Sequence, residues 1–255
     1  MRAPWRPRIG LALGGGAARG VAHLGVLLEL ERAGIEPAAV AGTSIGALLG
    51  AVWMTSGGAE RAVERIAAFA GSVDYQKAGV EFLKNVDSGD AGWRTAFSRG
   101  LRKSVVLAYT MFRESFVGEE AFRHNTEFLV PDVLIEQLRL PMAVMATDLA
   151  SGRSVVFRRG SMRRAVMASS AIPGLFPPSE LEEATLVDGA VSERVPVRAL
   201  AAYDVDVIVA VDLRGGGQLQ DLPSSGRQIS RRAQLISERQ LRDTRLAAAD
   251  LVVLP

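Results

Sequence analysis

Val40-Ala41-Gly42-Thr43-Ser44-Ile45-Gly46-Ala47-Leu48-Leu49 reads as the end of a buried strand, a sharp turn and the start of a helix. The turn has the form Gly-x-Ser-x-Gly. Glycines two residues either side of Ser44 remove the Cβ atoms that collide when a strand folds directly into a helix. Such a turn lifts the serine hydroxyl clear of the backbone. It also sets the hydroxyl near a helix N-terminus, whose dipole favours developing negative charge. The same pattern also serves a plain strand-to-helix turn built from small residues, and it recurs by chance.

The residues before the turn supply a second element. Residues 9–13 are a candidate buried strand, followed at once by Gly14-Gly15-Gly16-Ala17-Ala18-Arg19-Gly20. Residues 21–33 have helical periodicity, with Val21, Leu24, Leu27, Leu28 and Leu30 apolar and Glu29, Glu31 and Arg32 polar. Gly34 is the C-cap, and residues 38–41 are the next strand. Strand, glycine loop, helix, strand, elbow and helix form a parallel βαβ unit with both loops at the carboxyl ends of strands.

The glycine loop has three readings. As a phosphate cradle it fails the dinucleotide form Gly-x-Gly-x-x-Gly, because Arg19 stands where the last glycine belongs, and no P-loop Gly-Lys-Ser/Thr follows. As plain structure, its glycines allow tight packing. As an oxyanion hole, backbone N–H groups at a helix N-terminus bind a carbonyl oxygen as it becomes charged. Adjacent βαβ strands open both loops on one edge of the sheet, which favours the third.

Further along, the elbow helix is expected to continue through 48–55, strands are expected at 140–147, 154–157, 186–187, 207–211 and 251–254, and further helices at 59–70, 162–170 and 229–249. Residues 71–130 mix apolar and charged side chains without a clean period. They are expected to be helices packed on the scaffold or a lid with an apolar and basic face. No linker or repeat divides the 255 residues, so a single domain is expected. The composition is that of a soluble globular protein, 48% hydrophobic and 23% charged. A net charge of +2 argues against a nucleic-acid binder, and the absence of cysteine excludes disulfides, thiol nucleophiles and zinc–thiolate sites. No apolar run approaches the roughly 18 residues of a membrane-spanning helix. The expectation is a cytoplasmic protein with at most peripheral membrane contact.

A serine nucleophile needs a base. The chain has two histidines, His23 and His124. His23, three residues past the glycine loop, reads as a packing or capping residue, and His124 has no motif around it. The remaining base is a carboxylate acting directly on the serine. Asp188 is the best candidate, because it ends a short apolar strand and Gly189-Ala190 let the backbone turn beside it. On spacing alone, Asp188 serves equally as a turn or N-cap aspartate.

Leu-Ala-Leu-Gly-Gly-Gly-Ala-Ala-Arg-Gly at 11–20, Gly-Thr-Ser-Ile-Gly at 42–46 and Asp-Gly-Ala at 188–190 resemble, in order, the signatures of the patatin-like phospholipase family. Ala-Thr-Asp-Leu at 146–149 and Ser-Ser-Ala-Ile-Pro-Gly-Leu-Phe-Pro-Pro at 169–178 resemble its bacterial branch. The resemblance implies an α/β fold: a three-layer sandwich with a mainly parallel central sheet. It implies Ser44 as nucleophile, Asp188 as its dyad partner, and Gly14, Gly15, Gly16 and Ala17 with Arg19 as the oxyanion loop. It implies a lipid or other acyl ester as substrate, with no cofactor and no metal. Another class on the same scaffold is a weakly active or silent lipid-binding regulator, with Arg153, Arg158, Arg159, Arg163 and Arg164 facing anionic lipid. A nucleotide binder using the glycine loop ranks last.

Overall fold

The computed structural model describes residues 7–72, 119–213 and 222–255. Its sheet is built from strands β1 (Ile9–Leu13), β2 (Ala39–Thr43), β3 (Met142–Asp148), β4 (Ser154–Phe157), β5 (Ser179–Leu181), β6 (Ala184–Asp188), β7 (Val207–Val211) and β8 (Leu251–Val253). The order across the sheet is β5-β6-β3-β2-β1-β7-β8, with β4 also paired to β3. The run from β3 to β8 is parallel. β4 and β6 run antiparallel to β3, and β5 antiparallel to β6.

Side chains alternate across a strand, and here the alternation separates large from small. Leu11, Leu13, Val40, Met142, Val144, Val209 and Val211 point to one face. They pack against α1 (Ala22–Arg32), α2 (Ile45–Ser56), α3 (Ala59–Ala70) and α5 (Met162–Ser170). Full burial of each such side chain stabilises the fold by about 1.5–3 kcal/mol. Ala12, Ala39, Ala41, Ala143 and Ala210 point to the other face, under Val195, Val197, Leu200, Val205 and Leu246. That layer is the segment 195–205, which contains the 3-10 turn Arg198–Ala202, and the end of α6 (Gly226–Leu246). The three-layer α/β architecture is as expected, with one outer layer thin.

The elbow helix runs over Ile45–Ser56, as the turn before it implies; Ser44 itself is the N-cap and its carbonyl accepts the Leu48 N–H at 3.0 Å. Several other boundaries differ from the sequence reading. α6 starts at Gly226, where the Ser225 side chain caps the Gln228 N–H. The first helix is entered through a 3-10 turn, Ala17–Val21. β5 was not anticipated; it is three residues long and follows the Pro177-Pro178 pair. Of the stretch 71–130, residues 119–129 form α4 (Glu119–Leu129). The lid expectation otherwise falls on residues 73–118, outside the described residues.

Candidate active site

The parallel strands β1 and β2 end on one edge of the sheet, so the loops after them meet there. Ser44 sits at that edge with φ 55° and ψ −124°, a backbone conformation that a non-glycine residue holds only under constraint. The constraint is steric. A Cβ on Gly42 would lie 2.5 Å from Ala47 Cα, and one on Gly46 would lie 2.2 Å from the Leu13 carbonyl oxygen. No side chain fits at either position. The Ser44 N–H donates to Ser169 Oγ at 2.8 Å, which anchors the strained residue from the end of α5.

Asp188, the last residue of β6, reaches the same point. Ser44 Oγ–H donates to Asp188 Oδ2 at 2.6 Å, and the Ala190 N–H donates to Oδ1 at 2.8 Å. The Asp188 N–H is itself held by the Ala171 carbonyl at 2.9 Å. Both side chains are buried. Burial pushes the Asp188 carboxyl above the ordinary carboxylate range. The Ser44 and Ala190 hydrogen bonds and the Arg194 charge oppose that shift without cancelling it.

The glycine loop lies against this pair, since a Cβ on Gly15 would stand 3.3 Å from Ser44 Cβ. Two of its amides are already engaged. Gly14 N–H donates to Val211 O at 3.0 Å and Gly15 N–H to Arg194 O at 2.8 Å. The N–H groups of Gly16 and Ala17 have no acceptor among the described residues. Ala17 opens the following 3-10 turn at φ 50°. Arg19 is exposed on that turn, with no side-chain partner among the described residues.

Neither histidine bonds Ser44. His124 is exposed on α4. His23 is fully buried, with Nε2 2.7 Å from the Gly14 carbonyl oxygen. Of the arginines read as facing lipid, Arg163 donates to Val130 O at 2.8 Å and Arg158 to Ala199 O at 3.4 Å.

Sequence reasoning missed three contributors. Ser169 stood in the quoted Ser-Ser-Ala-Ile-Pro stretch, but nothing local marks it as the anchor of Ser44. Arg194 gives its carbonyl to Gly15 N–H and its Nη1 to Gly15 O at 3.5 Å. Finally, α6 is tied to the loops of the site through ion pairs: Arg242–Asp212 and Arg245–Glu193, both at 3.4 Å, with the two carboxylates buried.

A family model described as patatin-like phospholipase matches residues 11–201. An uncharacterised NTE family protein of Mycobacterium bovis is 35% identical over 209 residues, which are 82% of this chain and 50% of that protein. Neuropathy target esterase sws of Drosophila melanogaster is 30% identical over 224 residues, covering 87% of this chain and 14% of that protein. Among solved structures, VipD from Legionella pneumophila aligns with a TM-score of 0.46 at 13% identity, over 92% of this chain and 54% of that one. The chain thus spans about half the length of its mycobacterial relative. The stretch matched by the family model holds the glycine loop, the elbow and Asp188 together, and the chain belongs to the patatin-like phospholipase family.

Proposed function

We infer that this chain is a serine acyl hydrolase acting on lipid esters through a Ser44–Asp188 dyad. The observation that carries the reading is the 2.6 Å hydrogen bond from Ser44 Oγ to Asp188 Oδ2, beside two N–H groups without acceptors among the described residues. Asp188 takes the Ser44 proton as Oγ attacks the ester carbonyl carbon. The negative charge that forms on the carbonyl oxygen is received by the Gly16 and Ala17 amides. Gly14 and Gly15, engaged with Val211 O and Arg194 O, act as scaffold rather than as donors. Losing one oxyanion donor typically costs about 3 kcal/mol of transition-state stabilisation. Collapse expels the alcohol, which takes the proton from Asp188 and leaves an acyl group on Ser44. Water then gives a proton to Asp188, attacks the acyl carbonyl and frees the acid, and Ser44 recovers its proton.

A base works best with a pKa near the operating pH, and burial moves Asp188 in that direction. Peripheral contact with a lipid surface fits such a substrate. No helix among the described residues is long and apolar enough to cross a membrane.

The test is ester hydrolysis together with fluorophosphonate labelling read by mass spectrometry. Ser44→Ala and Asp188→Asn are each expected to lose at least about 100-fold in turnover, and the adduct is expected on Ser44. Asp188→Asn removes a buried charge whose folded-state pKa lies above its unfolded value. Ionised Asp188 therefore lowers stability as pH rises through the folded pKa, and the asparagine variant should be no less stable near neutrality. Lost activity then reports chemistry rather than misfolding. Near-wild-type turnover in either variant sinks the reading. A second expectation is that the acidic limb of the rate–pH profile lies above the ordinary carboxylate value of about 3.9. A limb at or below that value contradicts the role given to Asp188.

A further inference from the structure

The dyad uses no histidine, yet His23 is fully buried beside the glycine loop. It belongs to the first turn of α1. A carbonyl oxygen only accepts, so Nε2 carries the proton and donates to Gly14 O. Nδ1 is buried with no partner among the described residues. The ring is therefore the neutral Nε2–H tautomer, since a charged ring would bury a second N–H donor with nothing to receive it. Burial moves the His23 pKa below the usual histidine value, against the opposing hydrogen bond to Gly14. A residue that only filled space here would be better apolar, because half of this ring's hydrogen-bonding capacity goes unmet.

What the ring holds is a peptide plane. The Gly14 carbonyl and the Gly15 N–H belong to one peptide unit, which is rigid. His23 holds its oxygen at 2.7 Å, and the Arg194 carbonyl holds its N–H at 2.8 Å. Three successive glycines are otherwise the least restrained backbone available. With that plane fixed, only the two Gly15 torsions separate it from the next peptide unit. There the Arg194 guanidinium lies 3.5 Å from Gly15 O. In a trans peptide the N–H points opposite to the C=O, so the Gly16 N–H points away from Arg194.

We propose that His23 is a positioning residue: its Nε2–H pins the Gly14–Gly15 peptide and thereby aims the Gly16 and Ala17 amides at the carbonyl that Ser44 attacks. The proposal rests on the hydrolase reading above. The aim of an oxyanion donor matters because a misplaced N–H stabilises the transition state less while barely changing ground-state binding.

The experiment is steady-state hydrolysis of p-nitrophenyl butyrate by the wild type, His23→Leu, His23→Gln and Ser44→Ala. Leucine replaces the ring without a donor. Glutamine offers an amide N–H at about the reach of Nε2. His23→Leu is expected to lower kcat about 10–100-fold with KM changed less than about 3-fold, and His23→Gln to recover to within about 5-fold of wild type. Wild-type kcat in a folded His23→Leu, or no recovery in a folded His23→Gln, overturns the proposal. If Ser44→Ala is inactive in the same series, the hydrolase reading survives that failure; if Ser44→Ala retains activity, it is the hydrolase reading that falls. A measurement free of variants is long-range 1H–15N NMR of the wild-type histidines. A His23 ring with Nε2–H and bare Nδ1 from about pH 6 to 8 is expected. An Nδ1–H or doubly protonated ring in that range overturns the proposal.

Discussion

The two faces of the sheet are built to different thicknesses from neighbouring residues of the same strands. On one face Leu11, Leu13, Val40, Met142 and Val144 meet a layer of helices. On the other, Ala12, Ala39, Ala41 and Ala143 meet the segment 195–205, with its one 3-10 turn, and the end of one helix. The large residues supply buried apolar area. The alanines supply closeness. They let residues 193–200 lie near the sheet, so that Thr43 Oγ1 donates to Glu193 O at 3.0 Å and Gly15 N–H to Arg194 O at 2.8 Å. Stability is drawn mainly from the thick face, while the thin face brings Glu193 and Arg194 against loops that Ser169 and His23 hold from the helical side.

That division can be broken by exchanging sizes on adjacent residues of β1. Leu11→Ala should cost about 2–5 kcal/mol in urea unfolding, while the protein that remains folded keeps its turnover. Ala12→Leu should cost less, about 1–3 kcal/mol, but reduce turnover out of proportion, because it lifts residues 193–195 from the glycine loop. The smallest effect expected is that of Thr43→Val, which leaves Glu193 O without its buried donor and costs about 1 kcal/mol with a few-fold loss of rate. Normal turnover in Ala12→Leu would erase the distinction between the faces. So would a Leu11→Ala protein whose folded fraction is slow.

Much of this was legible in sequence, for physical reasons. Gly42 and Gly46 are visible because no other residue fits where a strand turns into a helix at once. The buried strands are visible as short apolar runs that stop at glycine or aspartate, Gly14 after β1, Asp148 in β3 and Asp212 after β7. The segment carrying Asp188 was read as residues 186–187 alone, and the sheet extends it to Ala184–Asp188 by pairing with β3 and β5. The acceptors that hold the glycine loop, Val211 O and Arg194 O, are backbone atoms and leave no side-chain signature. For the same reason nothing in the sequence marks the Gly14 and Gly15 N–H groups, within the loop that the family resemblance implies, as engaged by those carbonyls. Ser169 could not be matched to Ser44 because the two are 125 residues apart, and only the tertiary fold brings them together.

Separation along the chain has a consequence for synthesis. The hydrogen bond between Ser44 and Asp188 spans 144 residues. At ribosomal rates of about 5–20 residues per second, Asp188 follows Ser44 out by roughly 7–30 s. During that interval the growing chain carries Ser44 without the carboxylate proposed to activate it, and β6, which brings Asp188 to β3, has not yet been made. On the proposed dyad, catalytic competence is thus a late event, reached only when a long-range strand pairing closes. A serine-directed probe applied to nascent chains would therefore act as a clock for the completion of the fold.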